Sequence, residues 1–141
     1  LTPEQRELIR AHPERGVEIL RSIRSLHEDV LLNVLHHHER WDGDGYPTGL
    51  EGISIPLGAR IIMVCDTIDA MTTARPYRDP LPMSVVREEL LKHKGKQFDP
   101  EIVDVVLDEG LLETIETSLP RASTAASVTS INTAITQTDA D

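Results

Sequence analysis

The chain has 141 residues, the size of one domain or one domain plus a tail. Its formal net charge of −10 argues against general nucleic-acid binding through the phosphate backbone, whether DNA or RNA. No apolar run is long enough to cross a bilayer, and the single cysteine, Cys65, excludes an internal disulfide. Cys65 lies in an apolar helical pattern, which predicts a buried, inert thiol.

Thr2-Pro3-Glu4-Gln5 reads as a helix start, with Thr2 as cap, Pro3 at the first helical position and Gln5 closing a capping box. Pro13, directly after His12, predicts a kink or a break into two helices. A second helical pattern runs from about Glu28 to about Arg40. Val30, Leu31, Val34, Leu35 and His38 share its inward face. The segment from Trp41 to Ile55 holds Gly43, Gly45, Gly49 and Gly52 and reads as a long loop. Pro56 opens a helix reaching about Thr73, with Leu57, Ile61, Val64, Cys65, Ile68 and Met71 as its expected buried stripe. Asp66 and Asp69 are three apart on it and face the same way.

A fourth helix is expected from about Ser84, as cap, to Lys94, stopped by Gly95. Asp99-Pro100 starts a fifth, with Gly110 near its end. The acids between Asp99 and Glu116 read as a solvated face. From about Thr117 the chain is rich in Ser, Thr and Ala, and residues 113–141 read as a disordered tail. The expected fold is all-α, a bundle of about five helices.

His12, His37, His38 and Asp66 lie on three different predicted helices. Imidazoles and a carboxylate offered from several helices are what a metal site in a bundle needs. If helical, adjacent His37 and His38 point about 100° apart. They would then suit two neighbouring ions, or one ion and its surroundings. Taken singly, His12 fits a surface or satisfied core histidine, and Asp66 fits an ion pair with Arg60. His36 lies outside the inward stripe, and His27 and His93 read as surface residues. Arg75 and Arg78 fit either a surface pair or a phosphate fork. Tyr46 fits either a packing ring or the wall of a nucleobase pocket.

Together these motifs resemble one family. His37-His38-Glu39-Arg40-Trp41-Asp42-Gly43-Asp44-Gly45-Tyr46-Pro47-Thr48-Gly49-Leu50 comes first. Ile55-Pro56-Leu57, Asp66-Thr67-Ile68-Asp69-Ala70-Met71-Thr72, Arg75-Pro76-Tyr77-Arg78, Gly95 and Phe98-Asp99-Pro100 follow in order. They are similar to the HD-GYP domains of bacteria, a subgroup of the HD phosphohydrolase superfamily, over about Leu1 to Leu112. The resemblance implies a helical, cytoplasmic phosphodiesterase that hydrolyses cyclic di-GMP to linear pGpG or GMP. It implies two or three divalent ions, iron or manganese. It matches His12, His37, His38 and Asp66 to metal ligands, with His37, His38 and Asp66 at the reacting centre. It matches Arg75 and Arg78 to phosphate contacts. Gly45-Tyr46-Pro47 is the signature loop, tied to substrate shape and to contacts with diguanylate cyclase (GGDEF) domains. Glu39 and Asp69 are expected to hold neighbouring histidines or arginines in place.

The family's His-Asp pair has no counterpart, since no His-Asp dipeptide occurs in the chain. The expectation is therefore a fragment that lacks two ligands and upstream helices, is inactive alone, and exposes apolar surface. An upstream receiver or sensor domain is expected in the parent. The alternative is a non-catalytic HD-GYP module that binds nucleotide or docks a cyclase domain.

Overall fold

The computed structural model describes residues 2–74 and 78–118. Seven α-helices follow one another: α1 (Pro3–Arg10), α2 (His12–Leu20), α3 (Glu28–His36), α4 (Leu57–Thr72), α5 (Met83–His93), α6 (Pro100–Asp108) and α7 (Leu111–Ser118). A short 3-10 turn, Gly52–Ser54, precedes α4. The fold is all-α, as expected. Lys94 and Phe98 form an isolated β-bridge. The expected disordered tail from 119 onward lies outside the described residues.

Local chemistry accounts for most helix ends. Thr2 accepts from the Gln5 amide at 3.2 Å, and the Gln5 side chain accepts from the Thr2 amide at 2.9 Å. That reciprocal pair satisfies two amides that a helix start leaves over. Pro13 cannot continue α1, and the chain restarts as α2 at His12. Asp99 caps α6 by accepting from the Glu101 amide at 2.9 Å. Gly95 and Gly110 adopt left-handed φ of 72° and 64° after α5 and α6, where a side chain would be strained.

The core is built by α4 to α7. Val64, Ile68 and Met71 of α4 meet Val86 and Leu90 of α5, Phe98, Val103 of α6 and Leu112 of α7. By contrast α1 buries no residue, α2 buries Pro13 and Val17, and α3 buries His36. An ion pair ties α4 to the start of α6. Arg60 Nη1 donates to Asp99 Oδ2 at 2.6 Å, and Arg60 Nε donates to the Ile55 carbonyl at 3.0 Å.

Several expectations are corrected. The second predicted helix ends at His36, not near Arg40. The Val34 carbonyl, which a further turn would offer to the His38 amide, accepts the ring N–H of His37 at 2.6 Å. On α4 the stripe of Val64, Ile68 and Met71 faces the core, whereas Leu57, Ile61 and Cys65 sit on a neighbouring face and are exposed. Cys65 is therefore not a buried thiol. Pro82, not Ser84, precedes α5, and no side-chain cap forms there. Helix α7 crosses the boundary expected at residue 112, and Ile115 beyond it packs against the core. Of the acids from Asp99 to Glu116, only Asp99 departs from the expected solvated face, being buried, whereas the others are exposed, Asp104 pairing with Lys94 and Glu113 with Arg87 at the surface.

Asp99 combines a buried ion pair with a helix cap, so its loss leaves the Arg60 charge and the Glu101 amide without a partner. We expect Asp99→Ala to lower the unfolding free energy by about 3 kcal/mol, read from urea denaturation. A loss below about 1 kcal/mol would mean that the pair is solvated in solution.

Candidate metal centre

Three histidines meet although they come from two separated stretches. His12 opens α2, His37 caps α3, and His38 follows in the turn. His12 Nδ1 lies 2.6 Å from the Ile9 carbonyl, and His37 Nδ1 lies 2.6 Å from the Val34 carbonyl. A carbonyl can only accept, so Nδ1 carries the proton in both rings. In the neutral rings the Nε2 lone pairs then face inward. His12 Nε2 stands 3.1 Å from His37 Nε2 and 3.2 Å from His38 Nε2.

Converging lone pairs repel unless a proton or a cation sits between them. Donors with bonds of about 2.1 Å lie roughly 3.0 Å apart around an octahedral ion and roughly 3.4 Å apart around a tetrahedral one. The observed spacings fall between these values, so the donor set fits a divalent ion. His12, His37 and His38 are the residues that would hold it. His37 and His38 lie just beyond the end of α3. Their rings sit 4.1 Å apart and serve one point.

Burial pushes the His38 pKa down to about 4, helped by His37 and His12, while Asp66 draws it upward. The ring is therefore neutral at ordinary pH and keeps a lone pair for a cation. Asp66 is exposed on α4 and is not in the histidine cluster, but it lines the same cavity as His38. Arg60 is engaged with Asp99, not with Asp66.

The cavity, about 410 Å³, has Met63 and Met71 on its apolar side, with Arg40, Asp44, Arg78 and Gln97 among its polar lining. Gly45 and Tyr46 also line it, whereas Pro47 lines a neighbouring hollow with Arg10. Arg78 donates to the Ala70 carbonyl at the cavity edge. Arg75 and Tyr77 lie outside the described residues. Asp69 accepts from the Thr73 hydroxyl at 3.1 Å, and neither side of that pair lines the cavity.

Glu39 is 2% exposed and organises the loop that carries Tyr46. Its carboxylate accepts from the amides of Thr48 at 2.7 Å, Gly49 at 3.0 Å and Leu50 at 3.1 Å. His36 Nδ1 lies 3.4 Å away from it. Arg40 grips Asp42 through Nε at 2.9 Å and Nη2 at 2.6 Å. The same bonds hold the Asp42 carboxyl below its usual range and push the Arg40 guanidinium up. Sequence reasoning missed Arg10, His36, Arg40, Asp44 and Gln97. Arg40, directly after the His-His-Glu run, is the one that its position could have marked.

The model of the HD domain family matches residues 1–102. A 3'3'-cGAMP-specific phosphodiesterase 2 of Vibrio cholerae is 40% identical over 109 residues, covering 77% of this chain and 21% of that protein. The cyclic di-GMP phosphodiesterase response regulator RpfG of Xanthomonas campestris is 42% identical over 108 residues, covering 76% and 29%. A cyclic di-GMP phosphodiesterase of Thermotoga maritima is 41% identical over 108 residues, covering 76% and 29%. The crystal structure of a cyclic GMP-AMP-specific phosphodiesterase of V. cholerae superposes with a TM-score of 0.63 at 29% identity, over 78% of this chain and 24% of that one. The chain thus spans about a quarter of the length of the relatives it matches.

His38 generates a pH dependence whose sign follows from its lowered pKa. In the metal-free protein, the unfolded chain takes up a proton at His38 below about pH 6.5 that the folded chain refuses until about pH 4. Stability should therefore fall as pH drops through that window. In thermal melts with a chelator present, His38→Gln is expected to flatten the fall. An equally steep fall in the variant would assign the acid sensitivity elsewhere.

Proposed function

The chain belongs to the HD domain family, in its HD-GYP branch, and from that premise we propose that it forms the histidine core of a metal-dependent phosphodiesterase acting on cyclic dinucleotides, cyclic di-GMP first among them. The observation that carries this reading is the convergence of three imidazole Nε2 atoms, at 3.1 and 3.2 Å, beside a cavity edged by guanidinium groups.

His12, His37 and His38 would hold a divalent ion, which when bound would supply Lewis-acid chemistry. The chain's own residues do the rest of the binding. Arg78 and Arg40 line the cavity, and the guanidinium donors that they do not give to Ala70 and Asp42 are suited to phosphodiester oxygens. Arg75 is proposed to join them. Met63 and Met71 offer an adaptable apolar surface to a base. Gly45 and Tyr46 shape the wall that the dinucleotide meets, and Pro47 closes the turn behind them. Asp66, on the same cavity as His38, is the carboxylate available to a second ion. Imidazole with carboxylate suits iron or manganese, and two or three ions in all are proposed for the complete site. Asp69 would steady the end of α4, and Glu39 the loop. No helix among the described residues is long and apolar enough to cross a membrane. A cytoplasmic setting, an upstream receiver or sensor domain, and docking of a GGDEF domain on the Gly45-Tyr46-Pro47 loop are part of the same proposal.

The test uses the protein with its native upstream sequence, loaded anaerobically with iron or manganese and given cyclic di-GMP or 3'3'-cGAMP. The expected outcome is hydrolysis of cyclic di-GMP to pGpG or GMP, reduced at least about 100-fold in the His37→Ala, His38→Ala double variant. A folded, metal-loaded protein that binds either nucleotide without turnover would replace the enzyme with a nucleotide-sensing module.

A further inference from the structure

Three imidazoles meet at the cluster, but two of them are tied to the backbone and one is not. His12 and His37 each donate Nδ1–H to the carbonyl three residues earlier, both at 2.6 Å. Among the described residues, the His38 ring makes no hydrogen bond beyond its Nε2 contact with His12. An imidazole without a second anchor can turn about its χ2 bond and swing its lone pair off the shared point.

His38 has a stacking partner instead. The Tyr46 ring lies 4.8 Å from it, centroid to centroid, with 21° between the planes. The Arg10 guanidinium carbon stands over Tyr46, 5.0 Å from its ring centroid. Arg10 ends α1, two residues before His12, so one helix junction supplies both a ligand and the cation on the stack. Tyr46 itself is seated by the backbone. Its amide donates to the His38 carbonyl at 3.2 Å. A Cβ at the preceding Gly45 would fall 2.5 Å from Glu39 Cα, so glycine is what lets the loop close down there. A stack grips a ring by its face and leaves both nitrogens free, which a hydrogen-bonded anchor does not.

We propose that Arg10 and Tyr46 are positioning residues for His38: the cation over the tyrosine and the tyrosine over the imidazole aim the His38 Nε2 at the shared metal position. This rests on the metal-centre reading and adds to it two residues that touch no ion. Two effects of Arg10 oppose each other. Its charge repels a bound cation through space, so removing it would tighten metal binding. Its contact with Tyr46 orders the stack, so removing it would weaken metal binding. Salt separates them, because at 1 M ionic strength the screening length is about 3 Å.

The chain is titrated with cobalt(II) at high salt, and its visible absorption is followed. Wild type is compared with Arg10→Ala, Tyr46→Leu, Tyr46→Phe, the Arg10→Ala, Tyr46→Leu double variant, and His12→Ala as the control without a ligand. We expect Arg10→Ala to weaken binding about two- to fivefold, the range of an exposed cation–π contact. Tyr46→Phe keeps the ring and should bind like wild type. The double variant should bind no more weakly than Tyr46→Leu alone, because Arg10 acts through Tyr46. Unchanged or tighter binding in Arg10→Ala overturns the proposal, as does a fully additive loss in the double variant. Should Tyr46→Leu fail to fold, Arg10→Ala and Tyr46→Phe still decide. A wild-type chain whose cobalt spectrum is absent, or is untouched by His12→Ala, overturns the metal centre itself, which is a distinguishable failure.

Discussion

The carboxylate of Glu39 is the interaction on which the site depends. The stretch between α3 and α4 has one short 3-10 turn and little regular structure to satisfy its amides. A carboxylate offers about four acceptor positions on two atoms, and Glu39 spends them on Thr48, Gly49 and Leu50. The loop is folded back on the residue that follows the histidine pair, and its glycines bend where it turns. Gly43 and Gly49 take φ of 81° and 74°. A second set of bonds, from the Trp41 and Asp42 amides to the carbonyls of Gln97 and Lys96, fastens the loop to the segment before α6. Tyr46 reaches His38 because this frame is closed on both sides.

Electrostatics impose a second constraint. A chain with a net charge of −10 repels an anionic dinucleotide at long range. The cavity sets the guanidinium groups of Arg40 and Arg78 beside the carboxylates of Asp44 and Asp66, so its lining is closer to neutral than the chain as a whole. Arg40 is held firmly by Asp42, so it arrives pre-oriented but with part of its charge already compensated. On the proposed reading, binding of an anionic substrate would therefore lean on a cation at the histidines more than the number of arginines suggests.

Much of this was legible in the sequence. Caps and breakers are local chemistry, so Thr2, Pro13, Gly95 and Asp99 read correctly. Two of the cluster's residues, His37 and His38, stand out before the glycine-rich turn, whereas His36 of the same run packs against Glu39 and His12 joins from a separate stretch. What escaped was direction. His37 and His38 were placed on a helix that ends one residue before them, and the bond from the His37 ring to the Val34 carbonyl, which turns its Nε2 toward His12, is not written in the helical period. The face of α4 was misjudged because apolar residues fill more of its circumference than the core covers. Periodicity reports which side is apolar, not which side has a neighbour. Glu39 was placed among the supporting groups, but its true clients are loop amides nine to eleven residues on, which side-chain pattern alone does not encode.

The division between the packed half and the ligand-bearing half carries a kinetic consequence. Helices α4 to α7 share the core, whereas α1 to α3 bury few residues, and His12, His37 and His38 come from α2 and the turn that ends α3. Amides in α1 and α2 should therefore exchange through openings that leave α4 to α7 intact. On the proposed metal-centre reading, ion capture would then be the last stage of assembly. An ion that finds the two segments apart closes a long gap in the chain when it binds, and much of its binding energy goes into ordering α1 to α3. The protein would hold metal by folding around it, and would release it by partial opening without losing its core.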